Sequence, residues 1–346
     1  MIIFSASEPG SVFSIAPLCN VAKERSIKFF ITERGFFTSI KYPNLSEHFV
    51  NIDINAFKDF VILNKIKVLL FSVNIGDIYP LQLARIARNC GIYTIHLLDY
   101  WNGYSSRMRL DNRDIFHPDE YLVPDRIAMK SAISEGIKEE TILISGNPNF
   151  SNLRDSFNGK ELSKFKSENV TNLIFINEPV SLDHKKNYRG YDEKIVLRLL
   201  LSVLKNFESF KFYIYIVPHP RQETNEVNSM WVSLGGNKYG EVTNIPPRDL
   251  LNIANGVIGM SSTFLYESWL CGIPTLSLQP NLKINSLRTF ENRTGIVFVD
   301  KIENSNKKIL QWLMSLSIKK KYKYQEDLYD HEKSIDFIID RLIKKL

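Results

Sequence analysis

The sequence predicts an α/β protein made of two doubly wound domains, each a parallel sheet, with a cleft between them. Three observations carry this. Short β-branched and aromatic runs alternate with longer amphipathic stretches. The short runs are almost continuously apolar, as strands covered on both faces are. The alternation stops once, at a polar stretch, and then resumes. A chain of 346 residues is also longer than one hydrophobic core usually serves.

Taken in order, "MIIFS" reads as a strand, "ASEPGS" as a loop and "VFSIAPLCNVAKERS" as a helix. "IKFFI" and "KVLLFSV" are further strands, and "YPLQLARIARNCG" is a helix ending on Gly91. "IYTIHLLD" and "YLVP" continue the sheet, and the helix "DRIAMKSAISEG" leads into "TILISG". These make an N-terminal domain over 1–150. The Asn-, Ser- and Lys-rich 151–170 is the expected linker. A second domain, 171–325, starts with "LIFINEP" and the helix "DEKIVLRLLLSVLKNF". It continues through "KFYIYIV", the helix "PPRDLLNIA", "GVIGM", the helix "STFLYESWLCG", "TLSL" and "GIVFV". In the tail, 326–346, Ile335, Ile338, Ile339, Leu342 and Leu346 fall on one face at helical spacing.

Composition narrows the class. An apolar fraction of 44% and a charged fraction of 24% are ordinary for a globular protein. Cys19, Cys90 and Cys271 are scattered through apolar segments and read as reduced core thiols. No apolar run approaches the roughly 20 residues of a membrane helix, and "MIIFSA" is too short for a signal sequence. A cytoplasmic protein is expected. The net charge of +6 is concentrated partly in "IKKKYKYQ" and "RLIKKL". No nucleic-acid-binding signature accompanies it. An anionic substrate, or peripheral contact with the anionic inner face of the membrane, accounts for it instead.

The most informative motif is "VIGMSSTFLYESWLCGIPTL". A buried strand ends at Met260 and a helix starts at once with Ser261, Ser262 and Thr263. A helix start offers unsatisfied N–H groups and positive potential, and the hydroxyls add donors, so a phosphate suits it. Plain N-capping is the competing reading. Glu267, one turn on, has reach for a ribose hydroxyl or is a solvated helix residue. "IVPHPRQE" delivers His219 to the carboxyl end of a strand expected to neighbour the one ending at Met260. Pro220 stiffens the turn, Arg221 adds a cation, and His219 would stabilise or protonate a departing phosphate. "NEPVSLDHKKNYRGYDE" contributes Glu178, His184 and Arg189, with His184 read as solvated.

In the first half, "HLLDYWNGYSSRM" places Asp99 at a strand end. Asp99 reads as a general base on a sugar hydroxyl or as a turn cap. Trp101 and Tyr104 would be the sugar platform, with Asn102 and Arg107 as polar contacts. Glu8 is a second candidate carboxylate. There is no P-loop, HExxH, paired-cysteine site or Asp-x-Asp pair, so no metal or other cofactor is expected.

"EGIKEETILISGNPNF" resembles the last N-domain strand of GT-B glycosyltransferases and of the related UDP-N-acetylglucosamine 2-epimerases. His-Pro, then Ser-Ser, then a helix running to Gly-x-Pro resembles bacterial sialyltransferases and Kdo transferases. The resemblance implies two Rossmann-like domains in GT-B arrangement, the first on the acceptor side and the C-terminal helix packing back on it, with Asp99 as base, His219 on the leaving nucleotide, and Ser261 and Ser262 on its phosphate. The sequence departs from the sialyltransferases' acidic motif at "LDYWNG". The expected function is transfer of a nonulosonic acid or Kdo from a CMP-linked donor to a glycan or lipid-linked glycan. Alternatives are a UDP-sugar transferase, a CDP-glycerol glycerophosphotransferase, a 2-epimerase-like enzyme, or a non-catalytic binding module.

Overall fold

The computed structural model describes residues 1–74, 77–110, 114–157, 170–183, 188–206, 211–316 and 323–346. The chain divides into two compact units, Met1–Asn152 with Asp327–Leu346, and Leu153–Glu326. No helix among the described residues is long and apolar enough to cross a membrane.

In the first unit the strands are β1 (Ile2–Ser5), β2 (Phe29–Thr32), β3 (Phe49–Val50), β4 (Val68–Phe71), β5 (Tyr93–Leu97), β6 (Glu120–Val123) and β7 (Ile142–Ile144). They form one parallel sheet in the order β3-β2-β1-β4-β5-β6-β7. Its helices are α1 (Pro9–Glu24), α2 (Phe57–Leu63), α3 (Tyr79–Asn89) and α4 (Arg126–Ser134). Pro9 opens α1, where the missing N–H costs nothing. The edge strand β3, two residues long, and the seven-residue helix α2 are too short to stand out in the sequence.

The second unit holds α5 (Leu153–Phe157), β8 (Thr171–Ile176), α6 (Val180–Asp183), α7 (Glu193–Lys205), β9 (Phe212–Val217) and α8 (Thr224–Ser233). It continues with β10 (Gly240–Val242), α9 (Pro247–Leu250), β11 (Gly256–Gly259), α10 (Thr263–Leu270), β12 (Thr275–Leu278), β13 (Ile296–Val299) and α11 (Ile302–Ser315). The parallel order is β10-β9-β8-β11-β12-β13. This corrects one expectation: β9, which carries the His219 turn, does not neighbour β11. The unit's first strand, β8, takes the centre, and the chain winds outward from it on both sides. The order therefore reverses between β8 and β11, and the loops after these two strands flank the switch point where doubly wound sheets bind ligands. Part of the expected linker, 153–157, is helical in α5; residues 158–169 lie outside the described residues. So does most of the basic run "IKKKYKYQ", over 318–322.

The chain ends with α12 (Leu328–Glu332) and α13 (Ser334–Ile343), both in the first unit. Ile338, Ile339 and Leu342 of α13 are fully buried in the core that also holds Ile15 and Leu18 of α1. Burying such side chains stabilises by about 1.5–3 kcal/mol each. Arg341 donates two hydrogen bonds to Glu120, at 2.7 and 2.6 Å, and Arg25 pairs with Asp336 at 2.5 Å. Leu346, expected on the apolar face, is exposed, because α13 stops at Ile343 and the chain beyond it leaves the helix surface.

Candidate functional site

At the switch point of the second unit, Glu178 follows β8 and its carboxylate fills the start of α10. One oxygen, Oε1, accepts the backbone N–H groups of Met260 (3.0 Å), Ser261 (2.6 Å) and Ser262 (2.9 Å). The other, Oε2, accepts Ser261 Oγ–H at 2.6 Å and lies 3.6 Å from Arg189 Nη1. Arg189 also reaches Ser261 Oγ at 3.4 Å. These are the donors a phosphate would use at a helix N-terminus, and here an internal carboxylate takes them. Their aim is fixed from below. Met260 C=O accepts from Ser277 Oγ (2.6 Å) and Gln279 Nε2 (3.0 Å), and Tyr191 donates to Gln279 at 3.0 Å. Ser262 Oγ accepts Phe264 N–H at 3.2 Å, which makes it the N-cap of α10, with Thr263 as first helical residue.

His219 lies at the same carboxyl edge but beyond β9, on the far side of β8. Gln222 Oε1 accepts from His219 N–H (3.1 Å) and from Asn177 Nδ2 (3.0 Å), and Gln222 N–H donates to His219 C=O at 2.8 Å. Arg221 N–H donates to His219 Nδ1 at 3.2 Å, which leaves the neutral ring's hydrogen on Nε2. Pro220 and Arg221 are exposed. Asn177 and Gln222, which hold this turn, lie inside "NEPVSLDHKKNYRGYDE" and "IVPHPRQE" but do not stand out there as site residues. Neither does Arg248 in its own stretch; its Nε donates to buried Glu267 at 2.7 Å. Glu267 is thus engaged in an ion pair, in contrast to the expected solvated residue or ribose ligand. Burial, with Glu267 alongside, pushes the Cys271 thiol up to about 12, so it is no nucleophile. His184 lies outside the described residues.

The first unit repeats the pattern. Asp99 follows β5; its Oδ2 accepts Ser11 Oγ–H at 3.1 Å near the start of α1, and its Oδ1 pairs with Arg107. A Cβ on Gly10 would meet Asp99 Oδ2 at 2.8 Å, and the carboxylate is held from both sides, so the approach favours glycine there. Arg107 also donates to Val73 C=O (2.9 Å) and Asn102 Oδ1 (3.0 Å). Two expectations fail here. Trp101 is buried, donates Nε1–H to Asp125 at 2.7 Å and stacks on Phe150, so it is packed as core and offers no sugar platform. Tyr104 is buried as well, and its C=O accepts from Tyr121. Glu8 is half-buried immediately before α1 and makes no side-chain capping bond. No group of three or more metal-binding side chains occurs among the described residues.

No protein-family model matches the sequence, and no curated protein matches it. Solved structures do match along its length. A UDP-GlcNAc 2-epimerase from Neisseria meningitidis, bound to UDP-GlcNAc, aligns with a TM-score of 0.68 at 14% identity, covering 99% of each chain. The UDP-GlcNAc 2-epimerase of Methanocaldococcus jannaschii gives 0.67 at 14%, covering 99% of this chain and 98% of that one. A glycosyltransferase from Rickettsia africae gives 0.60 at 12%, covering 99% and 93%. The fold is accordingly GT-B-like, two Rossmann-like units in one chain.

Proposed function

We propose that the protein is a sugar-nucleotide enzyme of 2-epimerase type, acting on a UDP-activated N-acetylhexosamine. The observation that carries this reading is the end-to-end likeness in fold to a structure holding UDP-GlcNAc. The switch point supplies compatible chemistry: aligned amides at the start of α10, Ser261 Oγ–H, the Arg189 guanidinium and the His219 turn at one sheet edge. A phosphate entering this nest replaces the Glu178 carboxylate and takes Arg189 with it. The CMP-linked nonulosonate donor expected from the motifs gives way to UDP, because the similar structures that name a bound nucleotide name UDP-GlcNAc or UDP.

The test is proton NMR of UDP-GlcNAc with the protein in D2O. Inverting C2 breaks the C2–H bond, so the expected product is the manno epimer carrying deuterium at C2. Glycosyl transfer is the second reading, favoured by the Rickettsia africae likeness. It predicts no deuterium at C2 and UDP release only when a glycan acceptor is added. An unchanged spectrum together with no calorimetric heat for UDP would overturn both.

A further inference from the structure

The first unit carries an unassigned surface at the opposite edge of its sheet, where the strands begin. Lys67, immediately before β4, and Lys345, beyond α13, line one depression of about 330 Å³ with Arg88 of α3, Tyr93 and Asp119. Lys345 Nζ sits 4.2 Å over the Tyr93 ring. Lys65 and Lys344 stand beside them in the chain, and all four lysines are exposed.

The acids of this edge are already taken. Asp119 accepts Thr94 N–H and Oγ–H, both at 2.8 Å, and lies 3.6 Å from Arg88. Glu120 is held by Arg341, and Asp336 and Asp340 by Arg25. Among the described residues none of Lys65, Lys67, Lys344 and Lys345 is in ion-pair contact with a carboxylate, though Lys345 acts on Glu120 from a distance.

Large aliphatic side chains flank the lysines along the chain. Leu63, at the end of α2 and four residues before Lys67, is 81% exposed, and Ile62 is 61% exposed. On the other flank Ile343 and Leu346 are 44% and 49% exposed. Exposed aliphatics and lysines follow one another closely in two segments, 62–67 and 343–346. They complement a bilayer whose headgroups are anionic and whose acyl region begins a few ångströms deeper.

We propose that this edge of the first unit docks on an anionic phospholipid surface, with the lysines on the headgroup phosphates and Leu63, Ile62 and Leu346 at the acyl boundary. The docking is independent of the catalytic reading, since none of these residues lies at the switch-point site.

The experiment is flotation of the full chain with phosphatidylcholine vesicles, with and without about one-third phosphatidylglycerol, at low and high salt. Binding is expected to the anionic vesicles alone, and to fall steeply with salt as the charges are screened. The triple variant K67Q/K344Q/K345Q is expected to lose at least tenfold in partitioning. I62S/L63S should weaken binding while keeping its salt dependence. Thermal melts check that both variants are folded. Absence of flotation at low salt, equal binding to neutral vesicles, or wild-type binding by the folded triple variant overturns the proposal. So does concentration-dependent self-association that the same variants abolish while vesicle binding is absent.

Discussion

Glu178 and Ser261 meet twice, through the Ser261 N–H at 2.6 Å and through its hydroxyl at 2.6 Å, with Arg189 3.6 Å behind the carboxylate. The side chain thus occupies the donors that the proposed phosphate would use. Removing it should leave three aligned amides in need of an acceptor. Glu178→Ala is expected to lose roughly 1.5–3 kcal/mol of stability, the worth of hydrogen bonds to a charged group. Millimolar phosphate or UDP should restore most of it, with a much smaller effect on wild type. Melting curves with and without phosphate decide; a variant indifferent to phosphate means the nest is purely structural.

The two serines should separate. Ser261→Ala removes a hydroxyl from the nest and is expected to weaken UDP binding by about 1.5–3 kcal/mol. Ser262→Ala removes the N-cap of α10 and should cost about 1 kcal/mol of stability with little change in affinity. Calorimetry paired with denaturant unfolding reads both, and equal binding losses in the two variants would contradict the assignment.

His219 is expected to act on the phosphate of the UDP-sugar through its Nε2–H. His219→Ala should lower turnover of UDP-GlcNAc by about 10²–10⁴-fold, the span of a general acid or base. Gln222→Ala should lower it less, by loosening the turn that Gln222 ties to Asn177. Steady-state rates at saturating substrate test this, and near-normal turnover of His219→Ala makes the Pro-His-Pro turn a structural one.

His96 supplies a pH effect on folding. It is fully buried between Phe71 and Tyr121, with no hydrogen-bond partner for either ring nitrogen among the described residues. Burial, reinforced by the nearby Arg107 charge, holds its pKa well below the ordinary 6.5. The unfolded chain then binds the extra proton first. Stability should fall as pH drops below about 6.5, by up to about 1.4 kcal/mol per pH unit for this one group. His96→Phe should remove that slope in urea titrations at pH 7, 6 and 5. An unchanged slope means another group titrates.

Both sheets were legible because parallel strands buried on two faces are nearly unbroken apolar runs, as "KVLLFSV" and "KFYIYIV" are. The strand order was not legible. Nothing in "LIFINEP" says that β8 takes the centre and separates the His219 turn from the serine helix. At the site, the motif residues stood out through their company of prolines and serines. Their partners did not: Asn177 and Gln222 lie inside the same stretches but meet each other across 45 positions, and Arg248 reaches Glu267 from 19 positions away. Trp101 misled for a physical reason. An indole beside a carboxylate reads as a sugar platform, yet Asp125, 24 positions away, takes its N–H and turns it into the core.

The return of α13 to the first unit has a consequence for synthesis. The second unit is continuous in sequence, whereas the first is split around it and shares its core with Ile338, Ile339 and Leu342. As the chain leaves the ribosome, the half made first is therefore the half completed last. Until the closing helix emerges, the apolar flank of α1 faces solvent while an entire neighbouring unit is being assembled. The nascent protein passes through a long interval with a finished second half and an open first one, and that interval is when a chaperone would find it.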